Sequence, residues 1–339
     1  MDSLKHLFKD KNIFVTGGLG SIGSAIVKEV LQYEPKSVVV GDNRETAMFY
    51  GVWENKDPRL KYVFMDVRDR ERLHEVLRGM DIVFHAAAMK HILVCERNPS
   101  EAAATNVTGT QNVIDATIHN NLDRMVFIST DKVVNPTNVL GMTKLQAERL
   151  VEATCMSRTR NHTKFGVVRF GNVLYSQGSV LEIWERQLKR GEKISITDPK
   201  MTRFIMSTSQ AAGLIFAASR YMQDGEIFIF KMPSCTIDTL AKAYLELRGY
   251  KPDRFEVIGA REGDRQDEEL LLEEETKLLM ENDRFLLCPP VGLLEKDIQR
   301  YQELGFKKSQ RKLFSSNNPE YLLEKGAVKK ILARYFKEE

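Results

Sequence analysis

The sequence predicts an α/β fold, a doubly wound parallel sheet with a smaller C-terminal α/β lobe, on three observations. Through the first half of this 339-residue chain, short β-rich apolar runs alternate with segments of helical period. The first run ends in a glycine-rich turn that opens a helix, and the second ends in an aspartate about 20 residues further on, the layout of a Rossmann-type βαβ unit. The length is too great for one small domain and sufficient to bury a sizeable core.

Taken in order, "NIFVTG" is a first strand, apolar without alternation, as a strand covered on both faces should be. "SAIVKEVLQY" is the helix that carries the chain back, and "SVVVGD" and "YVFMDV" are the second and third strands. "ERLHEVLRG" is a helix, "DIVFHAAA" a fourth strand, "NVIDATIHN" a helix and "RMVFIST" a fifth strand. Helical spacing returns from Asn138 to about Arg158, and "FGVVRFGNVL" reads as one further buried strand. Beyond it the alternation loosens into "GEKISITDPKMTRFIM", "EIFIFKMPS" and "RFEVIGAREGDRQDEELL", and "YLLEKGAVKKILARYFKEE" is a terminal helix. Residues 1–171, with returning segments of the later chain, are assigned to the Rossmann domain, and 172–339 mainly to a substrate lobe with that helix.

Composition narrows the function. Fifty Lys and Arg stand against 47 Asp and Glu, with no stripe of like charge, so neither a nucleic-acid partner nor a polybasic membrane patch is expected. The four cysteines, Cys95, Cys155, Cys235 and Cys288, lack the spacing of a metal site or disulfide framework. The N-terminus enters a strand at once, without a signal peptide's apolar stretch, and no window reaches the ~18 uninterrupted apolar residues of a membrane span. A cytoplasmic protein without a metal is expected.

The glycine-rich turn "TGGLGSIG" sets Gly17, Gly20, Ser21, Ile22 and Gly23 between strand and helix. Such glycines allow a tight turn, close approach to a pyrophosphate and helix packing, while the helix N-terminus offers N–H groups to the phosphates. Asp42 would accept from the adenosine ribose hydroxyls, which favours NAD; Arg44, two residues on, can reach a 2′-phosphate and leaves NADP open. Asp66 and Val67 are placed for the adenine edge, Asp69 for a helix cap, and Ala86, Ala87 and Ala88 for a cofactor lying against the backbone.

Together with "HAAA", "TNVTGT" (with Asn106) and a later helix lysine, this spacing resembles the extended short-chain dehydrogenase/reductase superfamily. "AAMKHILVCERNPSEAAATNVTGTQNV", "STDKVVNPTNVLGMTKLQAE", "VVRFGNVLYSQGSV", "ITDPKMTRFIM" and "GAREGDRQDEELLLEEE" are similar to blocks of the UDP-N-acetylglucosamine 4,6-dehydratases, over about residues 10 to 290. That family includes long members with a membrane-spanning N-terminal part; this chain resembles the short form or the catalytic part alone. The resemblance implies a homo-oligomer, in which helices such as "NVIDATIHN" pair subunits, although a buried core face explains the same stripes.

One position departs. Four residues before Lys144, where the superfamily has tyrosine and several of these dehydratases have methionine, stands Leu140, which can neither ionise nor donate. Catalysis then falls to neighbours. A 4,6-dehydratase oxidises C4, removes water across C5 and C6, and returns the hydride to C6, so it needs a base at C5 and an acid at C6. The resemblance implies Asp131 as the acid, Lys132 as the base, Thr130 as partner of the C4 oxygen and Lys144 on the nicotinamide ribose. For these roles burial has to raise the aspartate's pKa and lower the lysine's, while their pairing opposes both shifts.

Lys90, just after the cofactor strand, is placed to meet both nicotinamide and the sugar or phosphate of the substrate, with a solvated lysine as the alternative. By the resemblance, Asn172 and the segment to Val180 contact sugar and uracil, and Thr197, Arg203 and Arg261 clamp the uridine diphosphate. Asp267 stands where the family usually has histidine, so a GDP- or dTDP-sugar remains open as substrate. A 4-epimerase shares the cofactor but needs neither acid nor base at C5 and C6; a scaffold that has lost activity is the non-enzyme alternative.

Overall fold

The computed structural model describes residues 2–156, 162–260, 263–290 and 295–338. Its strands are β1 (Asn12–Thr16), β2 (Ser37–Asp42), β3 (Leu60–Phe64), β4 (Ile82–His85), β5 (Arg124–Ile128), β6 (Lys164–Arg169), β7 (Asn172–Val173) and β8 (Ile194–Ile196). They continue with β9 (Thr202–Met206), β10 (Glu226–Phe230), β11 (Ser234–Thr236), β12 (Phe255–Val257), β13 (Met280–Glu281), β14 (Phe285–Cys288) and β15 (Lys307–Lys308).

The main sheet runs β15-β13-β14-β10-β6-β5-β4-β1-β2-β3. From β10 to β3 every pairing is parallel, whereas β14, β13 and β15 add antiparallel strands at the far edge. The order reverses between β1 and β4, which opens a crevice at their carboxyl ends. Register sets the crevice's depth, because Thr16 lies level with both Gly41 and His85. β2 is buried throughout, as its unbroken valine run requires, while β3 at the edge is half exposed. Helices cover both faces, and the core under them includes Phe14, Val39, Phe84, Phe127, Val167 and Phe228.

A second apolar cluster gathers Leu181, Trp184, Ile196, Ile205, Leu240 and Tyr244 around the small sheets β11-β9-β7 and β12-β8. The terminal helix Lys325–Glu338 packs here through Val328 and Leu332, and Lys325 and Lys329 both pair with Glu246. It is thus a packing element of the smaller lobe. The stripe of the helix Gly109–His119 likewise faces the core through Val113, Ile114, Ala116 and Thr117.

"FGVVRFGNVL" is not one strand. It divides at Phe170 and Gly171 into β6 of the large sheet and β7 of the small one, and a Cβ at Gly171 would stand 2.7 Å from the Phe204 Cβ. This change of sheet carries the chain from one wall of the crevice to the other.

Candidate functional site

The crevice is a cleft of about 1100 Å³ between the two cores, and its wall includes residues of all five motifs quoted above. At one end Gly17 turns with φ +61°, and a Cβ there would lie 2.8 Å from the Ala87 backbone. A side chain at Gly23 would run into the Gly17 carbonyl. Gly20 precedes the helix Ser21–Val30, whose first N–H groups face the cleft with Ser21, Ile22 and Ala86 to Ala88. This is a cradle for a diphosphate.

Asp42 is buried and accepts from the Leu19 N–H at 3.1 Å, while Arg44 clamps both its oxygens at 3.0 and 3.2 Å. Arg44 also donates to Gln177 Oε1 at 3.0 Å, and the Gln177 N–H donates to Ser21 Oγ at 2.8 Å. A loop of the smaller lobe is thereby tied across the cradle, a contact from 133 residues away that local pattern does not reveal. Asp66 and Val67 line the cleft, with Arg68 holding the Asp66 carboxyl below its ordinary range. Asp69 caps its helix by accepting from Arg72 N at 2.9 Å.

Asn106 does not face the cleft as a cofactor ligand would. It is buried behind the wall, accepting from Met89 N at 2.8 Å and donating to Met89 O at 3.1 Å and Thr143 Oγ1 at 3.0 Å. It therefore fixes the strand end that carries Ala88 and Lys90. Lys90 reaches into the open cleft, where desolvation, with Lys132 and Arg44 nearby, lowers its pKa against the pull of Glu182.

The centre of the cleft is built on the end of β5. Thr130 Oγ1 donates to Asp131 Oδ1 at 2.7 Å, and Lys132 Nζ donates to both Asp131 oxygens at 3.1 and 3.2 Å. Asp131 is 4% exposed. Gly141 of the helix Val139–Met156 lies directly against this turn, where a Cβ would collide with the Lys132 carbonyl. The lysine does not drop to a lower pKa as expected: burial works in that direction, but the Asp131 and Glu268 carboxylates outweigh it, and Lys132 stands above an ordinary lysine. Lys132 is thus an ammonium held against Asp131.

One helical turn apart, Leu140 and Lys144 face the same cleft. Leu140 packs with Cys95 and Ala102. Lys144 donates to the Ile128 carbonyl at 2.7 Å and lies 3.9 Å over the Phe127 ring, and burial draws its pKa down to about 7 despite Glu148. Its charge is thus not fixed near neutral pH. Two hydroxyls on the wall, Ser129 Oγ and Ser179 Oγ, are buried without a protein partner among the described residues, and they suit a bound polar molecule.

Asn172, Val180, Thr197 and Arg203 line the far end. Arg203 is largely committed already, donating to the carbonyls of Thr202, Gln266 and Arg265 at 2.7, 3.2 and 2.9 Å and lying 3.4 Å from Glu268. Arg261 lies outside the described residues. Asp267 is away from the wall, accepting from Thr202 Oγ1 at 2.6 Å and Asn317 Nδ2 at 2.9 Å, so the departure from histidine there acts on packing. Its neighbour Glu268 is the residue that sequence reasoning missed. Buried on the wall, it accepts from Asn172 at 2.6 and 2.7 Å, and its pKa is pushed up to about 7 by burial and by Asp131. The run of carboxylates in "GDRQDEELLLEEE" was its signal, without showing which one turns inward.

Residues 13–289 match the family model described as polysaccharide biosynthesis protein. The chain belongs to this family. Within the polysaccharide biosynthesis family, it is 42% identical over 97% of both chains to an uncharacterized membrane protein of Methanocaldococcus jannaschii. It is 36% identical to the inverting UDP-N-acetylglucosamine 4,6-dehydratase of Campylobacter jejuni, over 96% of this chain and 98% of the other. To the UDP-glucose 4-epimerase of Rickettsia canadensis it is 38% identical, over 79% and 80%. Among solved structures, Pen from Bacillus thuringiensis superposes with a TM-score of 0.88 at 35% identity, over 96% and 99%. The dTDP-glucose 4,6-dehydratase DesIV of Streptomyces venezuelae, solved with NAD, shares the fold with a TM-score of 0.69 at 22% identity, over 75% and 86%. The family member described here is a nucleotide-sugar dehydratase or epimerase of the extended short-chain dehydrogenase/reductase type. No helix among its described residues is long and apolar enough to cross a membrane.

Proposed function

We propose that the chain is a nucleotide-sugar 4,6-dehydratase that converts UDP-N-acetylglucosamine to a UDP-4-keto-6-deoxy-N-acetylhexosamine. The observation that carries this reading is the hydrogen-bonded chain Thr130–Asp131–Lys132 at the cleft's centre, since an adjacent acid and base serve elimination across C5 and C6 and have no task in epimerisation at C4.

NAD is the cofactor, and it supplies an acceptor for the C4 hydride and the donor that restores it at C6. The cradle of Gly17, Gly20 and Gly23, backed by the flat Ala86–Ala88 wall, fits its diphosphate, and the Ser129 hydroxyl awaits a partner beside the reacting end. Arg44 occupies both oxygens of Asp42, so it has to yield at least one of them to ribose hydroxyls. Ser179 and the N-terminus of the helix Val180–Lys189 face the cleft where the sugar nucleotide's diphosphate would lie.

The missing tyrosine is replaced by a relay. As C4 is oxidised, its hydroxyl proton passes to Thr130 Oγ1 while the Thr130 hydrogen moves along the 2.7 Å bond to Asp131 Oδ1. Asp131 is thereby loaded as the acid that protonates the departing C6 hydroxyl. Its loss of charge also removes an anion that holds Lys132 protonated, which leaves desolvation to favour the free amine needed at C5.

The test is turnover of UDP-N-acetylglucosamine in deuterium oxide followed by proton NMR. A new 6-methyl signal with deuterium at C5 is expected; a 4-epimer without a methyl signal would overturn the assignment. The Rickettsia relative's name makes UDP-glucose the control substrate.

A further inference from the structure

We propose that Glu268 takes the proton from Lys132 during each cycle, so that Lys132 meets C5 as a free amine; this rests on the dehydratase reading above. The need for an acceptor follows from the proton count. Lys132 begins as an ammonium. Asp131 is already loaded with the C4 hydroxyl proton, so it cannot also relieve Lys132.

Glu268 is placed for the task. Asp131 and Glu268 are the two carboxylates whose fields act on Lys132. The Glu268 carboxylate is buried on the cleft wall, fixed by Asn172 Nδ2 at 2.6 and 2.7 Å, by the Phe204 N–H at 3.0 Å and by Arg203 Nε at 3.4 Å. Its own N–H donates to Ser316 Oγ at 2.9 Å. The ionisable groups that face it are Asp131 and Lys132 from the turn after β5, Arg203 from β9 and Cys235 from β11. Burial first and the Asp131 charge second push it up against the opposing Lys132 and Arg203, to about 7 while Asp131 is charged. Once Asp131 is loaded, burial still raises Glu268, while Lys132 has lost the anion that held its proton.

The step balances. An N–H bond of the Lys132 ammonium breaks and an O–H bond forms on Glu268, with a water or a substrate hydroxyl carrying the proton between them. Lys132 then removes the C5 proton; the C5–H pair becomes the C5–C6 double bond as the C6–O bond breaks, and the oxygen leaves as water with the proton from Asp131. When C6 has received its hydride, Lys132 returns a proton to C5 and recovers its own from Glu268. The C4 hydroxyl proton departs in the water, and every protein group ends as it began.

The test isolates the C5 step. Wild type and Glu268→Gln, and the same pair carrying Asp131→Asn, are incubated with UDP-4-keto-6-deoxy-N-acetylhexosamine in deuterium oxide across pH 5.5 to 8.5, and loss of the C5 proton is followed by NMR. Asp131→Asn leaves position 131 uncharged and unable to take the Lys132 proton, as it is when loaded, so the Asp131→Asn background decides. Wild-type exchange should fall as the pH drops through about 7, because protonated Glu268 cannot accept. Glu268→Gln should cut exchange ~100-fold and erase that limb, while UDP affinity by calorimetry changes by less than about threefold. Glu268→Asp should restore part of both. Exchange and pH limb unchanged in Glu268→Gln would overturn the proposal, as would a loss of UDP affinity that matches the loss of exchange with no rescue by aspartate. Should the wild type dehydrate UDP-N-acetylglucosamine while either result holds, the proton acceptor alone is wrong. A wild type that forms no 6-methyl product removes the dehydratase reading, and the acceptor with it.

Discussion

Asp131→Asn separates the two halves of the proposed acid–base pair. Lys132 Nζ lies 3.1 and 3.2 Å from the Asp131 oxygens. At an effective dielectric of ~20 that separation corresponds to an attraction of about 5 kcal/mol as an upper bound. The remaining Glu268 charge and the 26% exposure of the Lys132 side chain reduce this, so the lysine should lose part of that stabilisation and its pKa should fall. Glu268, freed of a like charge, should fall with it. Dehydration of UDP-N-acetylglucosamine should then drop by ~10²–10⁴, because the acid at C6 and the relay's acceptor are both gone. Exchange of the C5 proton in the 4-keto product should persist, with its acid limb, set by Glu268, moved to lower pH. Steady-state turnover and NMR exchange measure the two separately. If exchange vanished together with dehydration, Asp131 would be the C5 base and the division of roles argued above would be wrong.

Gly17→Ala forces a positive φ on a side chain that meets the Ala87 backbone at 2.8 Å, so NAD affinity by calorimetry should fall at least ~10-fold. Arg169→Met strands two buried carboxylates, Glu148 and Glu275, held by Arg169 Nη2 at 2.6 and 2.9 Å; urea unfolding should report a loss of ~3–5 kcal/mol. His85, buried between Thr16 at 2.7 Å and Thr110 at 3.0 Å, has its pKa lowered to about 3 by burial and by Lys144. A depressed pKa means that the unfolded chain binds the extra proton, so stability is full above the unfolded value of ~6.5 and declines below it by ~1.4 kcal/mol per pH unit. Urea midpoints at pH 7, 6 and 5 should show this decline, and His85→Gln should flatten it.

The parts of the molecule that sequence revealed are those encoded by neighbours. The valine run of β2 and the glycines after β1 state their burial and their turn locally, and Thr130, Asp131 and Lys132 are consecutive, so their proximity is guaranteed by the chain. What escaped depends on where distant segments meet. The carboxylate of Glu268 reaches Asn172 across 96 residues, and only the packing of β7 beside β9 decides that it turns inward while Asp267 turns to Thr202 and Asn317. The Arg203 fork suited a phosphate by residue type, yet three backbone carbonyls already occupy it. Asn106 sits in a cofactor-like motif but is spent on Met89, because the π-turn at Ala104–Thr108 aims it behind the wall.

Leu140 and Lys144 then describe one change rather than two. A phenolate at position 140 would have given the lysine one turn later an anion to hold, and with it a reason to stay charged. With leucine there, Lys144 keeps only Glu148 as an opposing charge, rests on the Ile128 carbonyl and the Phe127 face, and settles at a pKa of about 7. Charged groups gather instead at Asp131, Lys132 and Glu268, where the proposed elimination would require them. In the proposed reaction Thr130 connects the two tasks, since the hydrogen bond through which the C4 hydroxyl would drain ends on the carboxylate proposed as the acid. A tyrosine would compete for that proton, and under the proposed relay its absence would keep the proton on the route from C4 to the leaving water.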